Sequence, residues 1–125
     1  MIRGIGVDIL EVERMRQAIE RWGADFLSRV FTKKEIEYCN SKKERSQHFA
    51  ARFAAKEAVS KALATGWSGG FRWKDVEIGN EPSGKPTVTV HENVKNLLAG
   101  SKIFLSLSHT KSTVVAFAVI ERQSG

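Results

Sequence analysis

Three residues combine a type and a spacing that could do chemistry. In "RFAAKEAVSKAL" (52–63), Glu57 and Lys61 are i, i+4 neighbours on a stretch otherwise built from small, packable residues, with Phe53 one turn earlier on the same face. Asp8 ends the run "GIGVD" (4–8), where glycines leave one strand face bare and the backbone open to close approach. Two separated carboxylates together with phosphate oxygens are a common way to hold Mg²⁺, and without a cation two carboxylates repel. A second reading stays open, because a surface Glu-to-Lys pair worth about 0.2–0.5 kcal/mol has the same local pattern. Sequence alone does not show that Asp8 and Glu57 meet.

Several other chemistries are excluded. "GIGVDI" lacks the third glycine of a dinucleotide fingerprint, and its glycines lie inside a strand rather than after one. No phosphate-binding Gly-x-x-x-x-Gly-Lys-Ser/Thr loop, His-Glu-x-x-His or Gly-x-Ser-x-Gly occurs. Ser108 and His109 are adjacent in a strand and point to opposite faces, so they make no hydrolytic dyad. His109 in "SLSHTKS" sits among hydroxyls and a lysine, which suits either an anion or an ordinary polar turn.

The elements that must position these residues follow from periodicity. Residues 2–9 alternate Arg3, Ile5, Val7 and Ile9 against Ile2, Gly4, Gly6 and Asp8, which predicts a strand. A helix is expected over about 10–22, with Val12, Met15, Ile19 and Trp22 inward and Glu13, Arg14, Gln17 and Arg21 facing away. Gly23 ends it, and "DFLSRVF" follows as a short helical turn. Thr32 with Glu35 is a capping-box signal for a helix through about 41, and the longest helix spans about 44–65. "GWSGGFR" reads as a connector. "WKDVEIG" and "KPTVTV" read as strands around the turn "NEPSG", "HENVKNLLAG" as a short helix closed by Gly100, and "KIFLSLSH" with "TVVAFAVIE" as a hairpin. The expected class is α+β: a mostly antiparallel sheet packed against one long helix and several short ones. Val114 to Ile120 are apolar on both strand faces, so either the long helix or another subunit covers the second face.

With 125 residues the chain suits one domain, 1–125. No apolar run is long enough to span a membrane, and Asp8 and Glu11 interrupt any signal-peptide core, so a cytoplasmic location is expected. One cysteine, Cys39, can make neither an internal disulfide nor a zinc cluster. The net charge of +6 favours acidic partners. Nucleic acid is excluded among them, because "TVTVH" and "FLSLSH" lack the aromatic and basic interleaving of an RNA-binding sheet.

Taken together, "GIGVDILEVERM" (4–15), "RFAAKEAVSKALATG" (52–66), "GKPTV" (84–88) and "SLSHTKSTVVAFAVIE" (106–121) resemble the holo-[acyl-carrier-protein] synthases, the short 4′-phosphopantetheinyl transferases. The order and spacing match across essentially the whole chain; Ala64 stands where the family pattern has glycine. The resemblance implies transfer of the phosphopantetheine arm of coenzyme A to a serine of an acidic apo acyl carrier protein, releasing adenosine 3′,5′-bisphosphate, in support of fatty acid biosynthesis. It further implies that Asp8 and Glu57 coordinate Mg²⁺ with the pyrophosphate, that Lys61 neutralises the attacked phosphate, and that Glu57 is a candidate base for the serine proton. By the same resemblance Arg52, Lys56, Gly84, Lys85, Pro86, His109 and Thr110 contact coenzyme A, and Arg14 and Arg21 meet the carrier. The short members form homotrimers with active sites between subunits, which implies the same here.

Overall fold

The structure is a computed structural model and describes residues 1–63 and 71–123. Strand β1 (Ile2–Glu11) leads directly into α1 (Val12–Val30), followed by α2 (Lys33–Asn40) and α3 (Arg45–Leu63). After a 3₁₀ turn at Trp73–Asp75 come β2 (Val76–Asn80), β3 (Pro86–Val90), α4 (Glu92–Leu97), β4 (Ser101–His109) and β5 (Thr113–Arg122). The α+β expectation holds, and the strands divide into two antiparallel sheets: β1-β5-β4, and β2-β3.

Local deviations from the expected elements have identifiable causes. Strand β1 runs two residues further than its alternation indicates, because Leu10 and Glu11 still pair with Val114 and Thr113 of β5. Gly23 kinks α1 rather than ending it: its φ of 56° is left-handed, which glycine adopts without a Cβ clash, and the helix resumes to Val30. Trp73, Lys74 and Asp75 form the 3₁₀ turn instead of the first residues of β2. Thr32 caps α2 as expected, its hydroxyl accepting from the Glu35 amide while the Glu35 carboxylate accepts from the Thr32 amide. The last expected helical residues of α3, Ala64 and Thr65, and most of the connector lie outside the described residues.

Helix α3 is the centre of the molecule. Phe49, Ala50, Ala54, Ala55, Ala58, Val59 and Ala62 are buried along it, and burying a side chain the size of Phe49 or Val59 stabilises by roughly 1.5–3 kcal/mol. The helix lies on the inner face of the three-stranded sheet, against Val114, Ala116, Ala118 and Ile120 of β5. The β1 partners of these four residues are Leu10, Asp8, Gly6 and Gly4. On the opposite face, Ile5, Val7, Ile9, Phe104 and Phe117 are 44–69% exposed. Simple burial under α3 therefore accounts for one face of β5, and no described residue covers the other. No helix among the described residues is long and apolar enough to cross a membrane.

Candidate active site

The bare face of β1 is what brings the three chemical residues together. A Cβ on Gly6 would stand 1.9 Å from the Ala58 carbonyl oxygen, and one on Gly4 would stand 1.8 Å from that of Ala62. The group that approaches the cleared backbone is thus α3 itself. Crossing β1 at this distance, α3 carries Lys61 to Asp8: the ammonium donates to Asp8 Oδ1 at 3.0 Å and to the Val7 carbonyl at 3.1 Å. Glu57, one turn earlier, faces the same cleft as Asp8, a cavity of about 580 Å³. Burial, and then the Asp8 charge, push the Glu57 carboxyl above its ordinary range, while Lys61 opposes the shift. This geometry replaces the surface-pair reading with a pair of converging carboxylates beside a lysine.

Helix α1 forms the other wall of the cleft. Arg14, Gln17 and Arg21, expected to face away, line it with Met15, Trp22 and Phe26. Trp22 is the corresponding correction on the apolar side. It is 56% exposed rather than in the core, since the core positions of this helix are Met15, Ile19, Leu27 and Val30. The Arg21 guanidinium rests 5.2 Å from the Trp22 ring centroid. Phe53 lines the cleft from α3 and stacks on Trp73, with ring centroids 4.9 Å apart.

A second group of expected residues gathers around the first half of α3. Arg52 is buried, lies over the Tyr38 ring at 4.2 Å and donates from Nη2 to Asn80 Oδ1 at 2.8 Å. Asn80 in turn donates to the Gly84 carbonyl at 3.1 Å, so the Gly84–Lys85–Pro86 turn is tied to Arg52. Gln47 joins the other end: its Nε2 is 3.0 Å from His109 Nδ1 and donates to the Thr110 carbonyl at 3.1 Å. Between them His48 is held below its usual pKa by burial, then by Arg52, Lys42 and His109. The Arg52 Nε is buried with no hydrogen-bond acceptor among the described residues, an unused donor on a cationic surface. Asn80 and Gln47 escape sequence reasoning; the only local hint is that Asn80 opens the "NEPSG" turn.

Lys56 does not reach the cleft. It is fully buried, its ammonium 2.9 Å from Glu35 Oε1 and donating to the Trp73 and Val76 carbonyls at 2.8 and 2.5 Å. Burial lowers its pKa against the pull of Glu35. With its donors turned into the core, it is not placed to bind coenzyme A phosphates.

The donor set fits a hard divalent cation. Asp8 and Glu57 offer oxygen ligands only, and a cation between them would offset both the burial and the Asp8 charge that raise the Glu57 carboxyl. No cluster of three or more potential metal-binding side chains occurs among the described residues; a cation held by these two carboxylates alone would keep coordination positions for phosphate and water.

Two carboxylates on one cleft of a small α+β chain, a lysine paired to one of them, and a second group of basic residues around the first half of α3 form a combination suited to phosphate-ester chemistry. Residues 4–118 match the 4′-phosphopantetheinyl transferase superfamily model. A holo-[acyl-carrier-protein] synthase of Koribacter versatilis is 48% identical over 124 residues, covering 97% of this chain and 99% of the relative. The crystal structure of holo-[acyl-carrier-protein] synthase from Neisseria meningitidis superposes with a TM-score of 0.89 at 34% identity, over 97% of this chain and 99% of that one. A Bacillus anthracis holo-(acyl-carrier-protein) synthase, in complex with coenzyme A (3′,5′-ADP), gives a TM-score of 0.83 at 33% identity, over 99% of both chains. The chain belongs to the holo-[acyl-carrier-protein] synthase family of the 4′-phosphopantetheinyl transferase superfamily.

Proposed function

We propose that this chain transfers the 4′-phosphopantetheine group of coenzyme A to a serine of an acidic apo acyl carrier protein in a Mg²⁺-dependent reaction, releasing adenosine 3′,5′-bisphosphate. The observation that carries the reading is the meeting of Asp8 and Glu57 at one cleft, with Lys61 paired to Asp8. Asp8 and Glu57 would hold the cation, which when bound supplies charge neutralisation at the pyrophosphate. The serine oxygen forms a bond to the phosphorus bearing the pantetheine arm, and the bond from that phosphorus to the bridging pyrophosphate oxygen breaks. Lys61 stabilises charge on the phosphate oxygens as this happens. The serine proton must leave, and Glu57, directly or through a metal-bound water, is the candidate to receive it. Arg52, the Gly84–Pro86 turn, His109 and Thr110 hold the nucleoside and its phosphates. Release of adenosine 3′,5′-bisphosphate, followed chromatographically, should stop on chelation and return with Mg²⁺; release that continues undiminished in chelator would sink the metal assignment.

Arg14 and Arg21, exposed on the α1 wall, fit the acidic carrier. Such contacts act mainly on association and weaken with salt. Arg14→Ala is therefore expected to raise the KM for the carrier several-fold and flatten its salt dependence, with the KM for coenzyme A unchanged. Equal losses on both substrates would move Arg14 into the phosphate site.

The exposed apolar face of β1, β4 and β5 is best read as the contact between copies in a homotrimer. Val7 and Ile9, on that face, flank Asp8 on the other, so a neighbouring copy would border the active site. Light scattering on the eluting protein should give three times the chain mass; a monomer at micromolar concentration would contradict this. The lone Cys39, buried and with its thiol pushed up to about 12, accords with a reduced cytoplasmic setting.

A further inference from the structure

Among the described residues, Lys56 and Glu35 are the one pair of opposite charges that the cleft does not use and that water does not reach, both side chains being 0% exposed. Apart from the cap at Thr32, the bonds they make run to other segments. Lys56 on α3 donates to the carbonyls of Trp73 and Val76, and Glu35 on α2 accepts from the amides of Thr32 and Ile78. Buried ion pairs are often replaceable by apolar residues without loss of stability, so stability is a weak reason for this one. What it supplies that apolar packing would not is direction: three bonds to Trp73, Val76 and Ile78, joined through the ion pair, fix the height at which β2 and the turn before it lie on α2 and α3.

That height matters for two features of the site. Strand β2 ends at Asn80, which links Arg52 to the Gly84 turn. Trp73, whose carbonyl Lys56 holds, stacks on Phe53 in the wall of the cleft beside Glu57. We infer that the Lys56–Glu35 pair is a positioning device for coenzyme A, setting the register of the β2–β3 hairpin on α3 and hence the distance from the Gly84–Pro86 turn to the Asp8–Glu57 end of the cleft. The inference rests on the reading of Arg52 and the Gly84–Pro86 turn as coenzyme A contacts.

The test compares steady-state kinetics of Glu35→Gln and of the neutral double variant Lys56→Met with Glu35→Gln, each first shown to be folded by circular dichroism well below its melting temperature. The pair acts on binding geometry, so the KM for coenzyme A should rise about tenfold in the double variant while kcat and the KM for the carrier stay within about twofold. A purely structural role would lower the melting temperature and leave the KM for coenzyme A unmoved, and that result in the folded variants overturns the inference. If the double variant does not fold, Glu35→Gln alone decides: it keeps the side chain's size and removes its charge, and it should raise the KM for coenzyme A, whereas an unchanged value in the folded variant overturns the inference. Arg52→Ala is the control. If it too leaves the KM for coenzyme A unchanged, the contact reading has failed; if it raises that KM while the other variants do not, the positioning inference alone has failed.

Discussion

Replacing Gly6 with valine is expected to prevent folding, and replacing it with alanine to destabilise the protein by about 3 kcal/mol or more. Even the alanine methyl would sit 1.9 Å from the Ala58 carbonyl oxygen and 2.7 Å from the Ala62 amide nitrogen. Both are backbone atoms of a helix whose other side is packed into the core, so neither can swing aside as a long side chain would. Overpacking a well-filled core ordinarily costs 1–3 kcal/mol, and this contact is closer than van der Waals packing permits, so α3 must lift from β1. Lifting α3 moves Glu57 and Lys61 away from Asp8, and activity in Gly6→Ala should fall before the fold does. Thermal melting by circular dichroism and a transfer assay at low temperature read the two effects separately. An alanine variant melting within a few degrees of the parent would show that α3 does not depend on this approach.

If Asp8 and Glu57 hold Mg²⁺ as proposed, Asp8→Asn and Glu57→Gln should each lower transfer by about a thousandfold or more with the fold intact, because each would remove a charged oxygen ligand and no core volume. The stability consequence for Glu57 has a definite sign. Its carboxyl is raised by burial and by Asp8, so the folded protein holds that proton more tightly than the unfolded chain does. Its contribution is therefore full below the unfolded pKa and is lost as pH rises through the raised folded value. Glu57→Gln should flatten this part of the pH–stability curve and leave the protein no less stable near neutrality. Protons and Mg²⁺ compete for the same oxygens, so Mg²⁺ affinity measured by calorimetry should weaken on acidification at a pH above the ordinary Glu value of about 4.3. Affinity independent of pH down to that value would remove Glu57 from the metal site.

How much of this was legible in the sequence depends on the range of each signal. Asp8 on a bare strand face, Glu57 and Lys61 one turn apart, and the Thr32–Glu35 capping box are local patterns, and the structure shows each of them. The glycines announced a close approach without naming what approaches, because Ala58 and Ala62 lie half the chain away from Gly4 and Gly6. Lys56 was misread for the same reason. Alanines on both sides of it allow burial or display alike, and its partner Glu35 had already been assigned to a cap that engages one of its two oxygens. Trp22 fits the apolar period of α1, yet the Gly23 kink beside it ends that period, and the ring turns to the cleft rim. The pairing of β1 with β5, from opposite ends of the chain, leaves no trace in strand alternation.

The proposed joint role of Asp8, Glu57 and Lys61 in moving a phosphopantetheine group from coenzyme A to a carrier serine is read most directly from the intact mass of an apo acyl carrier protein after incubation with this chain, coenzyme A and Mg²⁺. The carrier should gain one phosphopantetheine group with the parent protein and none with Glu57→Gln. A carrier of unchanged mass with the parent, or an equal gain with Glu57→Gln, would contradict it.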